Sequence, residues 1–196
     1  MGFGLLMLGY FTENVVAVNS MFSPAAFLGA ILVSVALFRL APYGKKFLIA
    51  FFLSLAVLPV SLYYAVFGFV RGGLIPTGAV LSYEVFAVVE WVQFGLNTLL
   101  TLLVLAALAD LAKELELSSL YVDSWRNLMV FLVYSVFSLV VHMPLPVVVE
   151  HTLAFHLPEV ILRFAVVFLN LWLFFGALRR IAPEGEREET TLPPLS

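Results

Sequence analysis

Six stretches of this chain, residues 2–19, 22–40, 47–70, 84–109, 127–143 and 158–178, are apolar almost throughout. Each is close to the roughly 20 residues that a helix needs to cross about 30 Å of hydrocarbon at about 1.5 Å per residue. No other feature constrains the fold as much. A segment of this kind is stable in lipid as a helix, which satisfies its own backbone hydrogen bonds where no water is present to do so. The sequence therefore predicts an all-α, polytopic integral membrane protein of about six transmembrane helices. Composition agrees: 63% of the 196 residues are hydrophobic and 12% are charged, against about half apolar and about a quarter charged in a soluble domain.

The first stretch is the weakest, because Thr12, Glu13 and Asn14 interrupt it. Five spans, with a re-entrant or interfacial first segment, is the alternative count. A signal peptide is disfavoured by the lack of a basic leading region and of a small-residue cleavage pattern before Glu13. Residues 1–181 are read as one transmembrane domain. The closing "APEGEREETTLPPLS", from Ala182 on, is polar and aperiodic and is expected to be a disordered cytoplasmic tail.

Lysine and arginine set the orientation, since cytoplasmic flanks retain positive charge. Arg39, Lys45 and Lys46 follow the second stretch, Lys113 and Arg126 lie between the fourth and fifth, and Arg179, Arg180 and Arg187 follow the sixth. With six spans all of these fall on one face, so both termini are expected in the cytoplasm of a multi-pass cell-membrane protein. The Gly-rich "RGGLIPTG" at 71–78 then reads as an outer turn. The net charge of −3 and its acidic loop and tail exclude a basic nucleic-acid surface. There is no cysteine, which removes thiol catalysis and thiolate metal sites.

Three helix ends share a pattern: "ALFRLAPYGKK" at 36–46, "ALADLA" at 107–112 and "ALRRIAPEGER" at 177–187, with six identities between the first and last. Their spacing of 71 and 70 residues suggests three tandem helical hairpins. Pro and Gly after a basic helix end are also ordinary stop signals, which would give the same pattern without repetition.

The polar residues inside the spans form two stripes. Glu90, Gln93, Asn97 and Thr101 follow the three-or-four spacing of one helix face. Glu159, Arg163 and Asn170 do the same on the last span, with Arg163 about 6 Å deeper than Glu159. An intramembrane arginine costs about 2.5–3.5 kcal/mol to insert, so Arg163 should have a partner. Glu159 is nearest in sequence; Glu90, Glu84 and Glu13 are alternatives. The functional reading is an outward-facing polar pocket, lined by the first, fourth, fifth and sixth helices, with Arg163, Glu90, Gln93, Asn97, Glu159 and Asn170 as ligand-binding candidates. The structural reading pairs Arg163 with Glu159 and leaves Gln93 and Asn97 as hydrogen bonds between helices.

All three histidines, His142, His151 and His156, fall within "VVHMPLPVVVEHTLAFHLPEVILR" at 140–163. His151 and His156 are five residues apart, about 140° around a helix, so they share a metal only if this segment is a turn or loop. Pro144, Pro146 and Pro158 suggest such irregular backbone, and the histidines are candidate ligands on that condition alone. No nucleotide, nucleophile-elbow or HExxH motif is present, and no cofactor is expected. Pro59 predicts a kink in the third span, and "LAKELELSSLYVDSW" an amphipathic cytoplasmic connector.

Three functions fit these features. A transport or substrate-binding component predicts an enclosed polar cavity that takes a small molecule or ion. A non-catalytic subunit or assembly factor, joined to a second copy or a partner membrane protein through residues 111–125 or an apolar face, predicts no cavity. An intramembrane enzyme using Glu and His requires a carboxylate and an imidazole within about 3.5 Å.

Overall fold

The computed structural model of the chain describes residues 2–16, 23–71, 83–143 and 146–190, and at 23, 71, 83, 84, 150 and 182–190 the backbone alone. Among these residues the regular structure is helical, with no strand. The helices are α1 Gly2–Asn14, α2 Ser23–Leu40, α3 Lys45–Arg71, α4 Tyr83–Glu114, α5 Ser118–His142, α6 Pro146–Glu150 and α7 Thr152–Thr190. Five of them, α2, α3, α4, α5 and α7, are long and apolar enough to cross a bilayer. The chain is an all-α multi-pass membrane protein. The Gly-rich turn at 72–78, the end of the first apolar stretch, Pro144 and the last six residues of the expected tail lie outside the described residues.

α1 is the exception to the six-span count. Its 13 residues reach about 20 Å along the axis, short of the roughly 30 Å hydrocarbon thickness. It is nevertheless an inner element: Phe3, Leu6 and Tyr10 are buried, and it packs on α2 and α7. Glycine makes the α1–α2 contact close. A Cβ on Gly9 would lie 2.8 Å from the backbone nitrogen of Val33, and one on Gly29 2.9 Å from the backbone nitrogen of Glu13. Small residues at a crossing let two helices approach in lipid, where no hydrophobic force drives them together.

The other helices run past the apolar stretches that mark them. α4 continues to Glu114, α5 begins at Ser118 instead of 127, and α7 begins at Thr152 instead of 158. Hydropathy detects the part of a helix inside hydrocarbon, whereas polar residues such as Ser119 and Asp123 extend the same helix into the interface. The connector expected at 111–125 is thus mostly helix, broken by one turn. Leu117 N–H bonds to Ala112 C=O at 2.9 Å and Glu116 N–H to Lys113 C=O at 3.2 Å. That pair closes a helix end in a Schellman motif, with Glu116 at φ 56 where glycine is usual. α3 passes through Pro59 as one helix from Lys45 to Arg71.

Packing order follows chain order. α1 lies against α2, α2 against α3, α3 against α4, α4 against α5, α5 against α7, and α7 returns to α1. The bundle is therefore a closed ring, in which the expected hairpins α1–α2, α3–α4 and α5–α7 are neighbours, as are the pairs between them. Lys46 bonds Asp110 at 2.8 Å and Arg180 bonds Ser119, which gathers the basic helix termini at one end. The large, fully buried side chains Leu37, Phe47, Leu105, Leu108, Leu120 and Phe174 fill the half of the ring nearest that basic end. Outward, Phe38, Phe52, Val133 and Phe168 are each more than 60% exposed, the lipid-facing surface of a membrane bundle. Toward the far end the dry core gives way to a cavity.

Candidate functional site

The cavity has a volume of about 400 Å³ and is bordered by all six helices of the ring. On α7 its lining runs from Glu159 to Phe174, about 22 Å along the axis. Its rim carries Glu90 and His142, both exposed. Its floor is apolar, formed by Leu6, Val104, Val167 and Phe174. Between rim and floor lies a belt of polar groups from α1, α4, α5 and α7.

The α4 stripe read from the sequence faces this space: Glu90, Gln93, Asn97 and Thr101 all line it. Asn97 also reaches across the ring, donating from Nδ2 to Glu13 Oε1 at 3.0 Å. Its Oδ1 is buried and has no hydrogen-bond partner. Glu13, weighed in the sequence as a partner for Arg163, is thus bonded to Asn97.

The α7 stripe divides. Glu159 and Arg163 line the cavity, but Glu159 turns away from Arg163 and toward α5. Ser138 Oγ donates to Glu159 Oε1 at 2.9 Å, His142 Nδ1 stands 4.0 Å from the same oxygen, and His156 Nδ1 lies 3.5 Å from Oε2. The expected Glu159–Arg163 pair is therefore absent. The hydroxyl and two imidazoles give Glu159 a shorter route to satisfaction than a guanidinium that must fold back along its own helix. Among the described residues no carboxylate lies within 4 Å of the Arg163 guanidinium. It is half-buried, facing the cavity, within electrostatic reach of the Tyr10 and Tyr134 hydroxyls.

Asn170 is not on the cavity wall. It is buried beside it, donating to the Tyr10 hydroxyl at 2.9 Å and accepting from Asn127 Nδ2 at 3.4 Å. Asn127 donates as well to the Leu169 carbonyl at 2.8 Å. This relay ties α1, α5 and α7 together one layer behind the polar belt.

The histidines are arranged differently from the sequence expectation. α7 is already helical at Thr152, so His151, in the turn after α6, and His156, on α7, do not converge. His142 and His156 do, with ring centroids 5.9 Å apart and nearly perpendicular. His142 Nδ1 donates to the Ser138 carbonyl at 2.9 Å. A carbonyl only accepts, so this contact fixes the proton on Nδ1 and leaves Nε2 to the rim. Among the described residues no three His, Asp or Glu side chains are grouped as a metal site.

Sequence reasoning missed Tyr10, Tyr134 and Ser138. A signal was present on α5, where Phe131, Tyr134, Ser138 and His142 recur every three or four residues, but the stripes were read on the fourth and sixth spans alone. Compared with protein-family models, curated proteins and solved structures, the chain matches none.

Proposed function

We propose that this chain binds a small polar solute in the cavity, as a transport or substrate-binding component of a membrane. The observation that carries this reading is Arg163, a full charge at membrane depth that faces an open volume and has no carboxylate partner among the described side chains. An arginine that only held helices together would be paired, because an unpaired charge at that depth is costly. A bound solute offers a reason for keeping it. By the positive-inside rule the rim with Glu90 and His142 opens on the side away from the cytoplasm. The non-catalytic subunit reading expects a filled bundle, and the cavity weighs against it.

Absence of native cysteine makes the test direct. A single cysteine at Gln93 should react with a membrane-impermeant thiol reagent, and a bulky Glu90→Trp change at the rim of the same chain should suppress that reaction. Protection of Gln93→Cys in a chain whose His151→Cys counterpart reacts readily would remove the solute-binding reading.

A second reading rests on a specific distance. His156 Nδ1 and Glu159 Oε2 are 3.5 Å apart, which meets the separation an acid–base pair requires. The adjacent hydroxyl of Ser138 bonds the carboxylate and not an imidazole, so the three do not form a nucleophile-and-base relay. A hydrolytic role would be lost on His156→Ala, whereas solute binding deeper in the cavity would survive it.

A further inference from the structure

We propose that the solute is a zwitterion with an apolar body, of the class of an α-amino acid with an aliphatic or aromatic side chain. This rests on the solute-binding reading above and adds to it the chemistry of the ligand. Two groups of opposite charge, Arg163 and Glu13, line the same cavity. Arg163 presents a guanidinium with no acceptor, and its planar fork of donors matches a carboxylate. The Glu13–Asn97 bridge presents the reverse: a carboxylate that receives one hydrogen bond from Asn97, beside an Asn97 Oδ1 that is buried and receives none. The Glu13 carboxylate lines the cavity and has acceptor capacity beyond the one bond from Asn97, which an ammonium, with three donors, can meet.

The presence of both signs of charge in one cavity separates this from simpler ligands. Glu13, Glu90 and Glu159 line the cavity with one guanidinium. A plain anion drawn to Arg163 would face carboxylates on α1 and α4, and a plain cation drawn to Glu13 would face Arg163. A molecule carrying both charges meets each with its complement. Tyr10, Glu13 and Arg163 line this one cavity together. Below them the walls are Leu6, Val33, Val104, Phe131, Val167 and Phe174, an apolar floor suited to a hydrocarbon side chain. The volume of about 400 Å³ is at the small end of ligand cavities, which run from roughly 300 to 1,000 Å³.

Four probes with the same branched hydrocarbon chain test the idea on the full chain in detergent micelles: leucine, leucinamide, 4-methylpentanoate and 3-methylbutylamine, each read by the shift in melting temperature. Leucine is expected to stabilise the chain, and each probe lacking one charged group to bind roughly ten-fold more weakly or worse. Arg163→Gln should erase the preference for leucine over leucinamide, and Asn97→Ala the preference for leucine over 4-methylpentanoate. Arg163→Lys keeps the charge and should retain part of the first preference, which distinguishes lost recognition from lost folding. If 4-methylpentanoate or 3-methylbutylamine binds wild-type chain as well as leucine does, the zwitterion is overturned and the solute site stands. No shift with any probe at millimolar concentration overturns it too, while the solute-binding reading fails only through protection of Gln93→Cys.

Discussion

Arg163 and Glu159 are one helical turn apart on α7, and their removal is expected to change stability in different ways. Glu159 is nearly buried and accepts from the Ser138 hydroxyl, with His156 Nδ1 3.5 Å from its other oxygen, so Glu159→Ala should destabilise the chain by about 1–3 kcal/mol by leaving Ser138 without its acceptor. Arg163 leaves no carboxylate orphaned when it is removed. Arg163→Gln should therefore be neutral or stabilise by about 1 kcal/mol, the sign expected where a residue is kept for function and not for folding. Equilibrium unfolding in micelles distinguishes the two. At this scale the sequence revealed the α4 positions through their spacing, because neighbours on one helix face are fixed by the helix itself. It did not reveal the direction of Glu159. Its partner Ser138 is 21 residues away on another helix, and a rule about positions four apart sees only α7.

Between elements, the closest contact is the crossing of α1 and α2. Gly9→Ala would put a methyl group against the backbone of Val33 and Gly29, and neither can rotate away. A loss of about 1–3 kcal/mol is expected, as for other overpacked sites, together with a weaker hold on Tyr10 and Glu13 in the cavity wall. Gly95 and Gly176 have open space at the same position. Gly95→Ala and Gly176→Ala should stabilise by up to about 1 kcal/mol, because alanine is the better helix former. Glu116→Gly should also stabilise slightly, since the left-handed conformation costs an L-residue about 1–2 kcal/mol and glycine's greater chain entropy offsets only part of this. The existence of these helices was legible in the apolar stretches and their ends were not, because a hydropathy window measures membrane thickness and α4, α5 and α7 outrun it. The depth of α1 in the bundle was also hidden. Its contact with α2 depends on which face its glycines occupy, and Thr12, Glu13 and Asn14 left the segment between a weak span and a re-entrant or interfacial one.

As a whole the molecule is a ring with a dry half toward its basic end and a hollow half toward the other. Single cysteines at Ser119 and His151 should therefore be labelled from opposite sides of a sealed vesicle, with Ser119 on the cytoplasmic side if lysine and arginine set the orientation as proposed. Labelling of both from one side would show that α5 does not cross. Clustering of the basic residues was plain in the sequence, since it needs only the count of spans between them. The pocket was legible only on the first, fourth, fifth and last helices, through their polar residues; the share of α2 and α3 in its wall was not, because Ala26, Val33 and Tyr64 belong to no polar stripe. The ring's closure also has a temporal side. Tyr10 and Asn170, joined where α1 meets α7, are 160 residues apart, and a chain enters the membrane from its N-terminus onward. α1 must wait against α2 while four more helices are synthesised, and until α7 arrives the polar belt has one side open to lipid. A chain halted after His142 would thus be an unfinished vessel, with Tyr10 and Asn127 still lacking Asn170, and such a chain is what cellular quality control would find exposed during biogenesis.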